Sequence, residues 1–172
     1  MLDLAPAFII TNLVIMLIAL PVHEFAHAIT ANAFGDDTPR ANGRLTINPL
    51  AHLDLIGTLM FVLVGFGWAK PVPVDPYTLR RRSPSALMWV SLAGPMSNFL
   101  LALLAAIPLR LNLVEFTPTT GLLPSPYVFL LSFIWSNLAL MLFNLIPLAP
   151  LDGEKIADYF APPPMARALD AI

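Results

Sequence analysis

Long apolar runs alternate along the chain with short polar, proline-rich breaks. Four runs stand out: from about Leu4 to Phe34, from Leu53 to Trp68, from about Ala86 to Leu109 and from about Tyr127 to Leu148. A helix needs about 20 predominantly apolar residues to cross a bilayer. The first, third and fourth runs reach that length. The second, "LDLIGTLMFVLVGFGW", falls short and is expected to dip in and return as a re-entrant helix over about residues 53–67. Such a segment is tolerated at depth where protein or a water-filled cavity surrounds it. Between the first two runs, "GDDTPRANGRLTINPLAH" has turn signals at Gly35, Pro39 and Asn42-Gly43, followed by the alternating "RLTI". That pattern predicts a small β-hairpin over about residues 36–52. "AKPVPVDPYTLRRRSPS" is too rich in proline for a helix. "LNLVEFTPTTGLLPSP" links the last two runs. The expected fold is a single membrane-embedded domain over residues 1–172. It is all-α, with three transmembrane helices, the re-entrant helix, the small hairpin and an interfacial tail over about 153–172.

Composition agrees with a lipid environment. Of 172 residues, 58% are hydrophobic and 12% charged, and mean hydropathy is +0.76. A soluble domain carries about twice that charged share. So little charge cannot cover a water-facing exterior, and the lipid bilayer is the expected surrounding partner. The net charge of −2 offers no basic excess for nucleic acid. The absence of cysteine excludes disulfides, thiolate zinc ligands and a cysteine nucleophile. Asp3 is the one charged side chain near the N-terminus, and the apolar run outlasts the core of a signal peptide. It reads as a retained helix.

Charge also orients the helices. If the second run returns to the side it left, the hairpin, the proline-rich loop and the tail share one side. That side then holds Arg40, Arg44, Lys70, Arg80, Arg81, Arg82, Lys155 and Arg167, with Arg110 alone opposite. Basic loops stay in the cytoplasm, so that side is expected to be cytoplasmic. A full crossing by the second run would divide the basic loops between the two sides.

The first run contains His23, Glu24 and His27, in the pattern H-E-x-x-H. On a helix, positions i and i+4 share a face, and two imidazoles so placed can grip one zinc ion. Glu24 then lies beside the metal, where it can take a proton from water. Such five-residue matches arise by chance in soluble chains. Ionisable groups within a membrane helix are costly and are functional by default. A catalytic zinc site takes three protein ligands. The candidates for the third are His52, Asp54, Asp75, Asp152 and Glu154. Asp152 is favoured because Pro147 and Pro150 interrupt the helix before it, and Gly153 permits an unusual backbone angle. On spacing alone, a helix-ending Asp-Gly turn fits equally well.

"HEFAH" and "FNLIPLAPLDGEK" resemble the site-2 protease family of intramembrane zinc metalloproteases, as do "GRLTINPLAHLD", "AKPVPVDP" and "SLAGPMSN". The likeness runs from about Leu20 to Lys155, with the motifs in the same order. It is closest to the small prokaryotic type without an inserted PDZ domain. The resemblance implies one zinc ion held by His23, His27 and Asp152, with Glu24 as catalytic base. It implies that Asn98 hydrogen-bonds the substrate or the oxyanion, while Gly94 on the same face allows close helix packing. Asn144 also matches a family position, with a hydrogen bond to the broken backbone as its modest reading. His52 matches a family loop and is left outside the metal site. Family members usually continue past the "LDG" helix with further membrane segment, whereas here "IADYFAPPPMARALDAI" follows.

The implied activity is regulated intramembrane proteolysis: cleavage of transmembrane segments of substrate proteins, in the plasma membrane of a prokaryote. "RLTI" could hold an unwound substrate by strand addition. Two other readings use the same residues, a zinc-binding membrane transporter and an inert relative that only binds membrane helices. Oligomeric state is not legible.

Overall fold

The three longest apolar runs form the three longest helices. A computed structural model of the chain describes residues 6–64, 67–119 and 121–161. In chain order the helices are α1 (Pro6–Ala33), α2 (Thr38–Ala41), α3 (Pro49–His52), α4 (Leu55–Val64), α5 (Pro76–Arg82), α6 (Ala86–Arg110), α7 (Pro126–Asn144) and α8 (Asp152–Phe160). By length and composition, α1, α6 and α7 can each cross a membrane. Even α7, with 19 residues, reaches about 28 Å at the helical rise, close to the thickness of a hydrocarbon core.

α1 buries every fourth residue: Ala7, Thr11, Ile15, Ala19, His23, His27 and Ala31. α6 answers with Val90, Gly94, Asn98 and Ala102, also buried and four apart. Two stripes of that period pack as ridges into grooves. His27 meets Val90 and His23 meets Asn98, so the two helices are antiparallel. α7 runs antiparallel to α6. Its Phe133 packs with Ile15 and Ala19, flanked by Leu101 and Ala105. The C-terminal ends of α1 and α7 and the start of α6 therefore share one end of the bundle. The described residues of 34–64, 67–85 and 145–161 lie at that end.

The short second run leaves and comes back. Leu53 and Ala69 form an antiparallel bridge, and Lys70 N–H donates to the carbonyl of His52 at 2.8 Å. Gly57 packs so tightly that a Cβ there would lie 2.2 Å from the carbonyl oxygen of Trp68. Both ends of the run therefore meet beside α4.

The β-hairpin over 36–52 does not form. Pro39 and Pro49 each stand in the first turn of a short helix, α2 and α3, where a fixed φ and a missing N–H favour helix initiation. Asn42-Gly43 does make a turn, with Gly43 at φ +67°, but it closes α2. Arg44, at the start of the expected strand, is buried and donates to the carbonyls of Ala51 and Lys70. The proline-rich loop also holds one element that composition hides. Pro76 begins α5, and Asp75 caps it by accepting from Tyr77 N–H and the Thr78 hydroxyl. The bond from Thr78 leads the causes that hold the Asp75 carboxyl below its ordinary range. Of the predicted tail, α8 accounts for the first part, and residues 162–172 lie outside the described residues.

Candidate metal centre

His23 and His27 lie one turn apart on the buried stripe of α1. Their rings cross edge-on at 83°, and their Nε2 atoms converge to 3.0 Å. Each imidazole is aimed by its other nitrogen. His27 Nδ1 lies 2.7 Å from the carbonyl of Val90. A carbonyl only accepts, so Nδ1 carries the hydrogen and Nε2 keeps a lone pair. His23 Nδ1 lies 2.7 Å from Oδ1 of Asn98 in the same sense. Gly94 makes room for both rings. A Cβ there would lie 2.4 Å from His27 Nε2 and 2.6 Å from His23 Cε1. The close approach that this glycine allows is thus between helix backbone and imidazoles.

Asp152 arrives from the far end of the chain. α7 stops at Asn144, "LIPLAPL" crosses the end of the bundle without forming a helix, and α8 starts at Asp152. Gly153 has no positive φ, so the unusual backbone angle expected of it is absent. Its task is spatial. A Cβ would lie 2.3 Å from the carbonyl oxygen of Ile146 and 2.4 Å from that of Leu145. Without one, the first turn of α8 rests on the end of α7 and Asp152 reaches the histidines.

Asp152 Oδ2 stands 3.2 Å from His23 Nε2 and 3.3 Å from His27 Nε2. Two ligands at zinc distances of about 2.0–2.1 Å and a tetrahedral angle lie roughly 3.4 Å apart. The three donor atoms therefore have about the spacing of ligands to one small cation. Their chemistry fits it as well. Asp152 Oδ2 is buried without a hydrogen-bond partner, and it faces two nitrogens whose hydrogens are committed elsewhere. The ionised carboxylate is the form a metal binds. His23, His27 and Asp152 are the one group of potential metal ligands of this kind among the described residues.

Glu24 points past this cluster. It is buried on α1, and its Oε2 accepts from Val72 N–H at 3.0 Å. Val72 lies between Pro71 and Pro73, in a stretch fixed at both ends. Arg44 ties Ala51 to Lys70 at one end, and buried Asp36 accepts from Asp75 N–H at 2.7 Å at the other. The loops at this end of the bundle thus deliver one backbone donor to Glu24.

The other candidate ligands are engaged elsewhere. His52 is fully buried and bonded to the carbonyl of Thr46. Asp54 accepts from Gly57 N–H, Asp75 caps α5, and Glu154 pairs with Lys155. Asn144 donates to the carbonyl of Leu140, inside its own helix rather than to the broken segment. Asn98 is buried, with its Oδ1 on His23 and its Nδ2 donating to Asn137 Oδ1 at 2.9 Å. Sequence reasoning missed Asn137, whose signal was an amide in the middle of an apolar helix. It also missed Val72 N–H and the Val90 carbonyl, which as backbone groups leave no trace in residue type.

Comparison with known proteins points the same way. The chain is 41% identical over 169 residues to "Putative zinc metalloprotease YwhC" of Bacillus subtilis, covering 94% of this chain and 72% of that protein. It is 34% identical over 159 residues to "Putative zinc metalloprotease Rip2" of Mycolicibacterium smegmatis, and 34% identical over 161 residues to the Rip2 protein of Mycobacterium tuberculosis. It spans 58% of the length of each Rip2 protein. No family model matches the chain, and no solved structure does. At this identity and coverage, the chain belongs to the site-2 protease family of zinc metalloproteases.

Proposed function

We propose that the protein is an intramembrane zinc metalloendopeptidase that cleaves transmembrane segments of substrate proteins in a prokaryotic plasma membrane. The observation that carries this reading is the convergence of His23 Nε2, His27 Nε2 and Asp152 Oδ2 to within 3.3 Å inside a bundle of membrane-length helices, with Glu24 next in sequence. His23, His27 and Asp152 would hold one zinc ion. Bound there, zinc supplies a Lewis acid that polarises the scissile carbonyl and makes water more acidic. Glu24 acts as general base, taking a proton from the attacking water and passing it to the departing amine. Val72 N–H fixes one Glu24 oxygen and leaves the other for that proton. Asn98 serves first to aim His23. In this arrangement both ends of its amide are engaged, and a bond to the substrate would need one of them released.

The extended stretch around Val72 forms a wall beside Glu24, at the end of the bundle that carries the basic loops. The positive-inside rule makes that end cytoplasmic, so water would enter from there. A substrate helix must unwind locally to expose its peptide bond. With no strand formed at Arg44–Ile47, strand addition there is not part of this reading.

Glu24→Gln tests the proposal. The variant is expected to retain zinc and to lose cleavage of a model membrane substrate by about 10²–10⁴-fold, measured with purified protein in proteoliposomes. Cleavage at the parental rate would overturn the assignment.

A further inference from the structure

α7 buries two residues in the bundle, Phe133 and Asn137. Asn137 is completely shielded, although it lies far along the chain from the H-E-x-x-H motif. Its Nδ2 donates to the carbonyl of Phe133 one turn earlier at 2.9 Å. Its Oδ1 accepts from Asn98 Nδ2 at 2.9 Å, and Asn98 Oδ1 faces His23 Nδ1 at 2.7 Å. Three hydrogen bonds thus link a backbone carbonyl of α7 to a metal-binding imidazole of α1.

The direction of this chain is not free. The Phe133 carbonyl has no hydrogen to give, so Asn137 must turn its NH₂ towards it. That leaves Oδ1 as the end facing Asn98, which must then present its own NH₂. Asn98 Oδ1 is left facing His23, and His23 Nδ1 must supply the hydrogen. The lone pair at Nε2 is the result. Reversing either amide would set donor against donor or acceptor against acceptor in a shielded pocket. We propose that Asn137 is a positioning residue for the metal centre: it fixes which end of the Asn98 amide faces His23, and so which His23 nitrogen is left to bind the metal. The inference rests on the metal-site reading and on no catalytic step.

Substitution at 137 separates this role from simple helix packing. Leucine is similar in size and suits a membrane helix, but nothing then selects the orientation of Asn98. Its NH₂ can turn to His23 Nδ1, and the ring hydrogen moves to Nε2, which can no longer ligate. Aspartate keeps an acceptor for Asn98, and in its neutral acid form it also donates to Phe133. Serine bonds back to the i−4 carbonyl and withdraws from Asn98. Asn98→Asp offers His23 only acceptors, whatever residue occupies 137.

The test uses full-length protein in detergent micelles. Zinc affinity is read by competition with a chromophoric chelator, and ligation by the visible absorption of the Co²⁺-loaded protein. Asn137→Leu is expected to weaken zinc by about 10–100-fold, the usual effect of losing a partner behind a ligand, and to alter the cobalt band. Asn137→Asp should stay close to the parent. Asn98→Asp combined with Asn137→Leu should regain most of the loss. Folded Asn137→Leu binding zinc as tightly as the parent would overturn the proposal, as would a double variant no better than the single. If the leucine variant does not fold, Asn137→Ser takes its place with the same two outcomes. Because zinc binding is read without turnover, a protein that follows this order yet cleaves nothing would defeat the proteolytic reading and leave this one standing.

Discussion

Gly94 is where a single hydrogen atom in place of a methyl group decides whether the proposed metal centre can assemble. Helix propensity alone favours alanine there by about 1 kcal/mol, so Gly94→Ala should leave α6 intact. The added Cβ would sit 2.4 Å from His27 Nε2 and 2.6 Å from His23 Cε1, and both rings must turn away. We expect zinc affinity to fall by about 10–100-fold with the fold retained. Zinc should raise the melting temperature of the parent by mass action and leave that of Gly94→Ala nearly unchanged at the same zinc concentration. At this scale the sequence was partly legible. H-E-x-x-H announced itself because three ionisable groups in an apolar run need a common reason. A small residue near them was visible too, but not that imidazoles would fill the space beside it. The partners that aim the histidines are the Val90 carbonyl and Asn98, itself held by Asn137 of α7. Asn98 stood in a motif, but the carbonyl and the link to Asn137 did not.

The break between α7 and α8 shows how an element can be located correctly for an incomplete reason. Pro147 and Pro150 mark the interruption, and Asp152 emerges from it towards the histidines, where spacing alone had left a plain Asp-Gly turn equally open. Gly153 supplies room where conformational freedom had been expected. Residue identity cannot tell a glycine needed for φ from one needed for contact. Gly153→Ala is therefore expected to behave like the loss of Asp152. The backbone oxygens of Leu145 and Ile146, at 2.4 and 2.3 Å from the new Cβ, cannot yield as a flexible side chain would. α8 must lift, taking Asp152 with it. Zinc retained after dialysis should drop to the level of Asp152→Ala, and parental retention would exclude the contact as a determinant. The absent hairpin has a comparable lesson. The four residues of "RLTI" alternate like a strand, but a strand also needs a partner backbone. The Arg44 guanidinium occupies the carbonyls of Ala51 and Lys70 instead.

At the scale of the whole molecule, three apolar runs were enough to find the spans, because span length is set by the bilayer rather than by any detail of packing. The expected side of each loop rests on the short second run returning to the face it left, and Leu53 and Ala69 at its two ends lie side by side. The cysteine-free chain allows this topology to be tested directly with single cysteines at exposed positions. Ile47 precedes α4 and Tyr77 follows the return, with exposures of 66% and 70%. Phe116 and Leu122, at 68% and 64%, lie between α6 and α7 at the other end of the bundle. A membrane-impermeant maleimide added to inverted bacterial vesicles should label Ile47→Cys and Tyr77→Cys and spare Phe116→Cys and Leu122→Cys. Right-side-out vesicles should give the reverse. Labelling of Ile47→Cys and Tyr77→Cys from opposite faces would mean that the second run crosses. The basic loops would then be divided, and the segment carrying Val72 to Glu24 would approach from a different side than the loop carrying Arg44. Such a split is incompatible with Arg44 bridging Ala51 and Lys70, so one labelling experiment tests the topology and the loop platform behind Glu24 together.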